Sequence, residues 1–299
     1  MKQDRVIALG FFDGVHIGHA ALLNRAKAVA EQLDCESAAL TFDNHPDELV
    51  FGRPTPLINT LPDRRRIMAR TFHLDQILSI PFDRALMQTP WEVFVDELLV
   101  RRLRAVHVVC GHDFTFGFRG EGNPRRLQEK CAELGIGCDV IPPVMHEGVV
   151  VSSTRIRQLL QEGKVEEANT LLGHRHFIVG EVIYGKQMGR RMGTPTANLQ
   201  LPEGILRPAL GVYATEVVLE DGSRHPAVTN VGTCPTVEME TGVTVESWLL
   251  DFRGDLYHQH IRVEFCKFLR PEQKFDTVEE LKTAILQNAE QTRAFFHLS

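Results

Sequence analysis

The chain is expected to fold as an α/β protein, a doubly wound parallel sheet followed by a small antiparallel β-barrel that ends in a helix. Three observations carry this expectation. From Val6 to Ile141 short apolar runs alternate with helical stretches, the pattern of strand and helix units wound around a parallel sheet. From Phe177 to Phe268 the pattern changes to closely spaced strands separated by turn signals such as Glu220-Asp221-Gly222-Ser223 and Arg253-Gly254-Asp255. The length, 299 residues, suits two domains, read as 1–173 and 174–299 with Gly173-His174-Arg175-His176 as the link.

In order, Val6-Ile7-Ala8-Leu9 reads as a buried strand, a glycine-punctuated turn follows, and Leu22, Leu23, Ala26 and Val29 mark one face of the first helix. Ser37 to Phe42 is a second strand, ended by Asp43-Asn44-His45-Pro46, where proline forces an extended exit. Asp63 to Phe72 has helical composition, and Gln76 to Ile80 suits a third strand. Thr89 is expected to cap a helix with Pro90 at its first position and Trp91, Phe94, Val95, Leu98 and Leu99 on its core face. Ala105 to Cys110 is apolar almost throughout, as a central parallel strand covered on both faces must be. A helix from Asn123 to Leu134, a strand from Cys138 to Ile141 and helices starting near Ser153 and at Val165 complete the first domain. The barrel strands are read as Phe177 to Tyr184, Gly211 to Leu219, His225 to Val231, Val243 to Phe252 and His260 to Phe268. Thr277-Val278-Glu279-Glu280 is a capping box opening a last helix, whose Leu281, Ile285, Thr292, Phe295 and Phe296 pack on the barrel.

Composition removes several function classes. With 33 Lys and Arg against 39 Asp and Glu, the net charge of -6 offers no global basic field for a nucleic-acid backbone. The six cysteines are dispersed and never form C-x-x-C, which argues against a zinc ribbon or redox pair and for buried thiols in the reducing cytoplasm. The opening Met1-Lys2-Gln3-Asp4-Arg5 and its brief apolar run are cut by Asp13 and His16 before a signal peptide could form, and no segment reaches the length of a membrane span. Neither G-K-S nor G-K-T occurs, so the usual P-loop is absent.

The chemistry concentrates in a few strings. Gly10-Phe11-Phe12-Asp13-Gly14-Val15-His16-Ile17-Gly18-His19 sits between a strand and a helix, where free backbone N–H groups and the positive end of the helix dipole meet an anion, most naturally a phosphate. His16 and His19, three residues apart, can both face one ligand, and Gly18 leaves room for close approach. Such a pair also serves as a structural cap or a chance metal-ligand spacing; the flanking strand and apolar helix favour the phosphate. Ser152-Ser153-Thr154-Arg155-Ile156-Arg157 brings hydroxyls, helix-start N–H groups and two guanidinium groups to the same crest, which suits a pyrophosphate or triphosphate, although serine and threonine there also act as plain caps. Glycines beside basic residues from Tyr184 to Leu199 either wrap a phosphate or form a solvated hairpin loop.

H-x-G-H after a strand, preceded by F-D-G, resembles the signature of the nucleotidyltransferase superfamily, and GFFDGVHIGH resembles its FAD synthetase branch. SSTRIR is similar to the superfamily's second signature, and TFDNHPDE and GHDFTFGFRGEG resemble further FAD synthetase segments. GRRMGTPTANL, NVGTCPTV, VESWLLDF and LRPEQKF together resemble riboflavin kinase. Across almost the whole chain the best match is the bacterial bifunctional riboflavin kinase/FMN adenylyltransferase family.

That resemblance implies phosphorylation of riboflavin to FMN with ATP and adenylation of FMN to FAD, with Mg2+ as cofactor and only small molecules as partners. In the adenylyltransferase, Gly10, Phe11, Phe12, Gly18, Ser153, Thr154 and Arg157 would bind ATP and its phosphates, with His16 and His19 catalytic. Gly111, Asp113, Phe116 and Gly117 would place the nucleotide and flavin. In the kinase, Gly189, Arg190, Gly193 and Pro195 would bind nucleotide, Thr196 and Asn198 would hold magnesium, and Arg270 and Glu272 would lie on the flavin side. Glu246 would take the hydroxyl proton. The chain departs from the family pattern at Asn44, Thr194, His258 and Asn288-Ala289. An adenylyltransferase for another phosphorylated acceptor would not need the barrel blocks, and a flavin-responsive regulator would need a DNA-binding helix-turn-helix or basic stripe, which the sequence lacks.

Overall fold

The computed structural model describes residues 4–52, 54–185, 194–233 and 242–298. The chain divides into two compact units, Met1–Ser153 and Thr154–Ser299.

The first unit is built on β1 (Arg5–Leu9), β2 (Glu36–Phe42), β3 (Gln76–Ile80), β4 (Ala105–Gly111) and β5 (Gly137–Ile141), all parallel and ordered β3-β2-β1-β4-β5. The strand order reverses between β1 and β4, so a crevice opens at their carboxyl ends, where open α/β sheets bind ligands. Side chains alternate along β1. Val6 and Ala8 pack with α1 (Ile17–Leu33) and α3 (Leu61–Phe72), whereas Ile7 and Leu9 pack with the opposite layer, which includes α6 (Pro124–Glu133). Cys110, Cys131 and Cys138, dispersed in sequence, meet as free thiols in that opposite layer.

Several expected ends differ in detail. Asn123 caps α6, its Oδ1 accepting the Arg126 N–H at 3.0 Å. Thr89 does not cap the helix after it; its hydroxyl donates back to the Ala85 carbonyl at 2.8 Å, closing α4 (Arg84–Met87), and Pro90 takes the cap position of α5 (Trp91–Val93). From Phe94 to Arg102 the helix then widens to a π-helix, which still buries Phe94, Val95 and Leu99. Unforeseen were α2 (Pro46–Phe51) and a small hairpin of β6 (Met145–His146) and β7 (Val149–Val150).

The second unit holds a closed antiparallel barrel of β8 (Phe177–Ile183), β9 (Ala197–Gln200), β10 (Gly211–Val218), β11 (Arg224–Thr233), β12 (Val243–Leu249) and β13 (His260–Pro271). Its order is β10-β11-β12-β9-β8-β13. Thr215, Thr229 and Ser247 are fully buried and join hydroxyl to hydroxyl at 2.6 and 2.8 Å. Each polar atom thereby has a partner without water. Two helices brace the barrel. α7 (Ser153–Gln161) offers the Leu160 carbonyl to Ala209 N–H, and α8 (Val165–Leu172) carries Asn169, whose amide donates to the Phe265 carbonyl and accepts the His176 N–H. At α9 (Val278–Phe295) the N-cap half of the capping box forms, Thr277 Oγ1 accepting Glu280 N–H, while the Glu280 carboxylate reaches one residue further back, its Oε2 accepting Asp276 N–H. α9 buries Ala289 against Val212, Val228 and Leu250.

Candidate active sites

The loop after β1 delivers the two histidines to the crest of the first unit. His16 caps α1: its Nδ1 accepts the His19 N–H at 3.2 Å, which leaves the proton of the neutral ring on Nε2. The two imidazoles stack with centroids 3.5 Å apart at 15°. Gly18 leaves room for this stack, since a Cβ there would crowd the His16 ring at 3.0 Å; the room it leaves is filled by imidazole. Gly10 likewise makes way for the Phe12 ring, 3.1 Å from a Cβ at that position. Burial pushes His19 well below the ordinary imidazole range, with smaller contributions from His16 and Arg64. Its Nδ1 is buried without a hydrogen-bond partner. Phe12 and Val15 hold φ of 59° and 43°, a left-handed conformation that costs non-glycine residues about 1–3 kcal/mol each.

That strained loop is tied down from two sides. The buried Asp13 carboxylate accepts the Ile58 N–H at 3.0 Å and the Asn59 N–H at 3.2 Å. Arg64, in the first turn of α3, is fully buried and donates to the Phe11 carbonyl, to Thr41 Oγ1 at 3.3 Å and to the Phe42 carbonyl at 3.1 Å. Desolvation lowers its pKa to about 10 against the raising effect of Asp13 and Asp43. Sequence reasoning missed Arg64, which stands in the run Arg64-Arg65-Arg66. The Phe12 side chain, expected at the ligand, is wholly buried, and Phe11 packs edge-on against His45 and under the Arg64 guanidinium. At Phe12 only the backbone is left to face a phosphate.

The loop after β4 forms the other side of the crevice. Asp113 projects into solvent, its side chain 81% exposed. Phe116 instead sits in the core against Phe94 and Phe114, and a Cβ on Gly117 would strike Trp91 at 2.6 Å. These two expected ligand contacts anchor the loop. Ser153 Oγ donates to the Asp13 carbonyl at 2.9 Å, joining the second signature to the first loop. Thr154 and Arg157 lie beyond the division, in the second unit.

Among the described residues the barrel lines two cavities. One, about 510 Å³, is lined by Pro195, Thr196, Asn198, Leu249, Phe252 and Tyr257 among others; Tyr257 stacks on Tyr184 at 3.9 Å. The other, about 360 Å³, runs between the barrel and α9, with Glu246, Trp248, Arg270, Glu272, Leu281 and Asn288 on its walls. Thr196 lines both. Register explains the grouping: Asn198 pairs with Glu246, and Glu246 with Asn230, so three polar side chains cross β9, β12 and β11 in one row on the outer face. Arg270 Nε donates to Asn288 Oδ1 at 3.1 Å, and Glu272 Oε1 accepts the Thr233 N–H at 3.3 Å. The wall formed by α9 was expected only to pack. Gly189, Arg190 and Gly193 lie outside the described residues.

The departures from the family pattern have local explanations in two cases. His258 holds φ of 65°, where glycine is the usual occupant and histidine one of the better substitutes. Asn44 caps the end of β3's exit, exchanging hydrogen bonds with Phe82 at 3.1 Å each way. Thr196 and Asn198 offer a hydroxyl and an amide oxygen, hard donors that suit a magnesium ion retaining waters and phosphate oxygens. Among the described residues no group of three or more His, Cys, Asp or Glu side chains is placed to hold a metal unaided.

The chain matches the FAD synthetase family over residues 1–155 and the riboflavin kinase family over residues 172–296. It is 35% identical to the bifunctional riboflavin kinase/FMN adenylyltransferase of Listeria monocytogenes, over 98% of this chain and 93% of the relative. To the protein of the same description from Escherichia coli K12 it is 36% identical, over 100% and 95%. A crystal structure described as a macrolide-efflux protein from Streptococcus pneumoniae superposes with a TM-score of 0.87 at 28% identity, covering 98% of this chain and 95% of that one. Among the described residues no helix is long and apolar enough to cross a membrane.

Proposed function

Since the chain belongs to the bifunctional riboflavin kinase/FMN adenylyltransferase family, we propose that it carries the two reactions at separate places, riboflavin phosphorylation on the barrel and FMN adenylation at the β1 crest. The protein is a transferase that converts riboflavin to FMN and FMN to FAD with ATP. One observation carries this reading, the full-length similarity to relatives named for both activities. The functional halves are assigned to 1–173 and 174–299, and both reactions to the cytoplasm, where the free thiols Cys110 and Cys131 stay reduced.

In the kinase step the ribityl hydroxyl oxygen bonds to the γ-phosphorus of ATP, ADP leaves, and Glu246 takes the hydroxyl proton. Thr196, common to both cavities, marks where acceptor and nucleotide meet, with flavin beside Trp248, Arg270 and Glu272 and nucleotide beside Pro195 and Tyr257. Gly189, Arg190 and Gly193 are assigned to the nucleotide phosphates by family motif. Thr196 and Asn198 would hold magnesium, which when bound neutralises phosphate charge. Glu246 stays at the acceptor because its strand pairs on both sides.

In the second step an FMN phosphate oxygen bonds to the α-phosphorus of ATP and pyrophosphate leaves; no protein nucleophile is required. His16 Nε2–H donates to the phosphoryl oxygens, and a neutral His19 accompanies it without adding charge to the stack. The backbone at Gly10, Phe11, Phe12 and Gly18 receives phosphate at the start of α1. By family motif, Asp113 and Gly111 are assigned to the flavin nucleotide, and Ser153, Thr154 and Arg157 to the departing pyrophosphate.

Incubation with riboflavin, ATP and magnesium, followed by chromatography of the flavins, tests the assignment. FMN and then FAD are expected; FMN alone removes the adenylyltransferase half, and neither product removes both. Omitting magnesium or adding a chelator is expected to stop FMN formation.

A further inference from the structure

Arg64 has no part in the chemistry above, yet it is the largest wholly buried side chain among the described residues. Burying a guanidinium costs several kcal/mol, and an apolar residue would fill the same space more cheaply. What the protein gains is visible in the partners. The guanidinium bridges the Phe11 carbonyl, just past β1, to Thr41 and the Phe42 carbonyl at the end of β2, and lies 4.1 Å from the Phe11 ring centroid. Thr41 Oγ1 closes the triangle by donating to the same Phe11 carbonyl at 2.8 Å. The segment that bears Arg64 also supplies the Ile58 and Asn59 N–H groups that grip Asp13. Residues 58–64 therefore clamp the loop at Phe11 and at Asp13, on either side of the left-handed Phe12.

Charge gives the clamp a second effect. Asp13 and Asp43 set negative charge beneath a loop that must receive a polyanion, and Arg64 is the cation that interacts with both. Arg64 also reaches His19 electrostatically, alongside His16.

Resting on the adenylyl-transfer reading of this crest, we propose that Arg64 is a positioning residue of FAD formation, which locks the strained Phe11–Asp13 loop in its phosphate-receiving shape and cancels the field of Asp13 and Asp43. It touches no reacting atom; it acts through the loop and through His19.

Two full-length variants separate geometry from charge. Arg64→Lys keeps the cation but cannot bridge three acceptors; FAD formation is expected to lose about tenfold or more in kcat with KM for ATP within about threefold. Arg64→Met loses both, and KM for ATP should also rise about tenfold while the acidic limb of the pH–rate profile moves to higher pH. The limb moves that way because one of the influences holding His19 down, beside burial and His16, has been removed. FMN formation by the same preparations should stay within about twofold, gauging the folded fraction. Hydrogen exchange of amides 10–19 should quicken in both variants while that of 211–233 does not. The proposal is overturned if exchange at 10–19 is unchanged, or if Lys and Met lose activity equally with KM and acidic limb unmoved. If the parent chain forms no FAD but the exchange effect appears, the clamp stands and the reading of the crest falls.

Discussion

His16 Nδ1 accepts the main-chain N–H of His19 while the two rings lie face to face, so one hydrogen bond fixes both the start of α1 and the nitrogen that carries the His16 proton. Removing that ring takes away the proposed donor to the phosphoryl group and a helix cap together. His16→Ala should cut FAD formation by about a hundredfold to a thousandfold and leave FMN formation intact. Glu246→Ala should do the reverse. Assaying both flavin products for each variant checks the division, and loss of both products in either variant would count against it.

His19 is held neutral by burial first, then by His16 and Arg64. Its folded-state pKa lies below the unfolded value, so its ring should stay uncharged as the pH falls through the ordinary imidazole range near ~6.5. In a histidine-labelled sample the His19 Cε1–H resonance is expected not to move between pH 7.5 and 6, roughly the window in which a solvated imidazole titrates. A full titration there would show that the stack does not exclude charge.

The Asp13 carboxylate accepts the main-chain N–H groups of Ile58 and Asn59. Asp13→Ala strands both in a buried place. The first unit should lose about 2–4 kcal/mol, since hydrogen bonds to a charged acceptor are among the stronger ones and their donors would remain desolvated. Urea unfolding followed at Trp91 in a Trp248→Phe background measures it.

His176 is fully buried between α8 and the barrel, stacked on Phe265, and neither ring nitrogen has a hydrogen-bond partner. Burial, with a smaller contribution from His174, lowers its pKa to about 3. The unfolded chain takes up this proton near ~6.5, whereas the folded one refuses it until far lower pH. The stabilising contribution is therefore complete above the unfolded value and drains away as the pH falls toward the folded value. At pH ~5 the barrel unit should have lost about 2 kcal/mol on this account. His176→Leu should flatten the dependence between pH 7 and 5, read from urea midpoints at Trp248 in a Trp91→Phe background.

Asn288 gives its amide oxygen to Arg270 on the wall of the smaller cavity. Asn288→Leu frees that guanidinium to move. KM for riboflavin should rise about threefold to tenfold with KM for ATP unchanged, as expected when one hydrogen bond of about 1 kcal/mol that orients a binding group is removed. Steady-state FMN formation with each substrate varied in turn distinguishes the two cavities.

Much of this was legible in the sequence because the two halves speak in different periods. Val6 to Leu9 is apolar throughout and Ala105 to Cys110 almost throughout, as strands covered on both faces must be, and the strands after Phe177 are closely spaced between turn signals. β9 was not legible: its four residues lie inside a polar, glycine-rich string and take their strand conformation from β8 and β12. Arg64 was hidden by its neighbours, since three successive arginines read as a solvated face and only the fold turns the first inward while Arg65 and Arg66 stay exposed. Leu281, Ile285 and Asn288 show helical spacing, which says that a face is covered but not that a cavity lies under it. Phe116 and Gly117 were matched by motif to ligand contacts, yet packing against Phe94 and Trp91 decides their place. The left-handed Val15 has no sequence signature, because a β-branched residue ordinarily avoids that conformation.

β13 pairs with β8 on one side and β10 on the other, so it is the stave that shuts the barrel. During synthesis β8 and β10 therefore keep open edges until His260–Pro271 emerges, long after residues 1–153 can have assembled. The newborn chain would thus hold the His16 and His19 crest of the first unit before its barrel could close. In that interval its exposed strand edges, rather than its finished crest, are where a ribosome-bound helper would be needed.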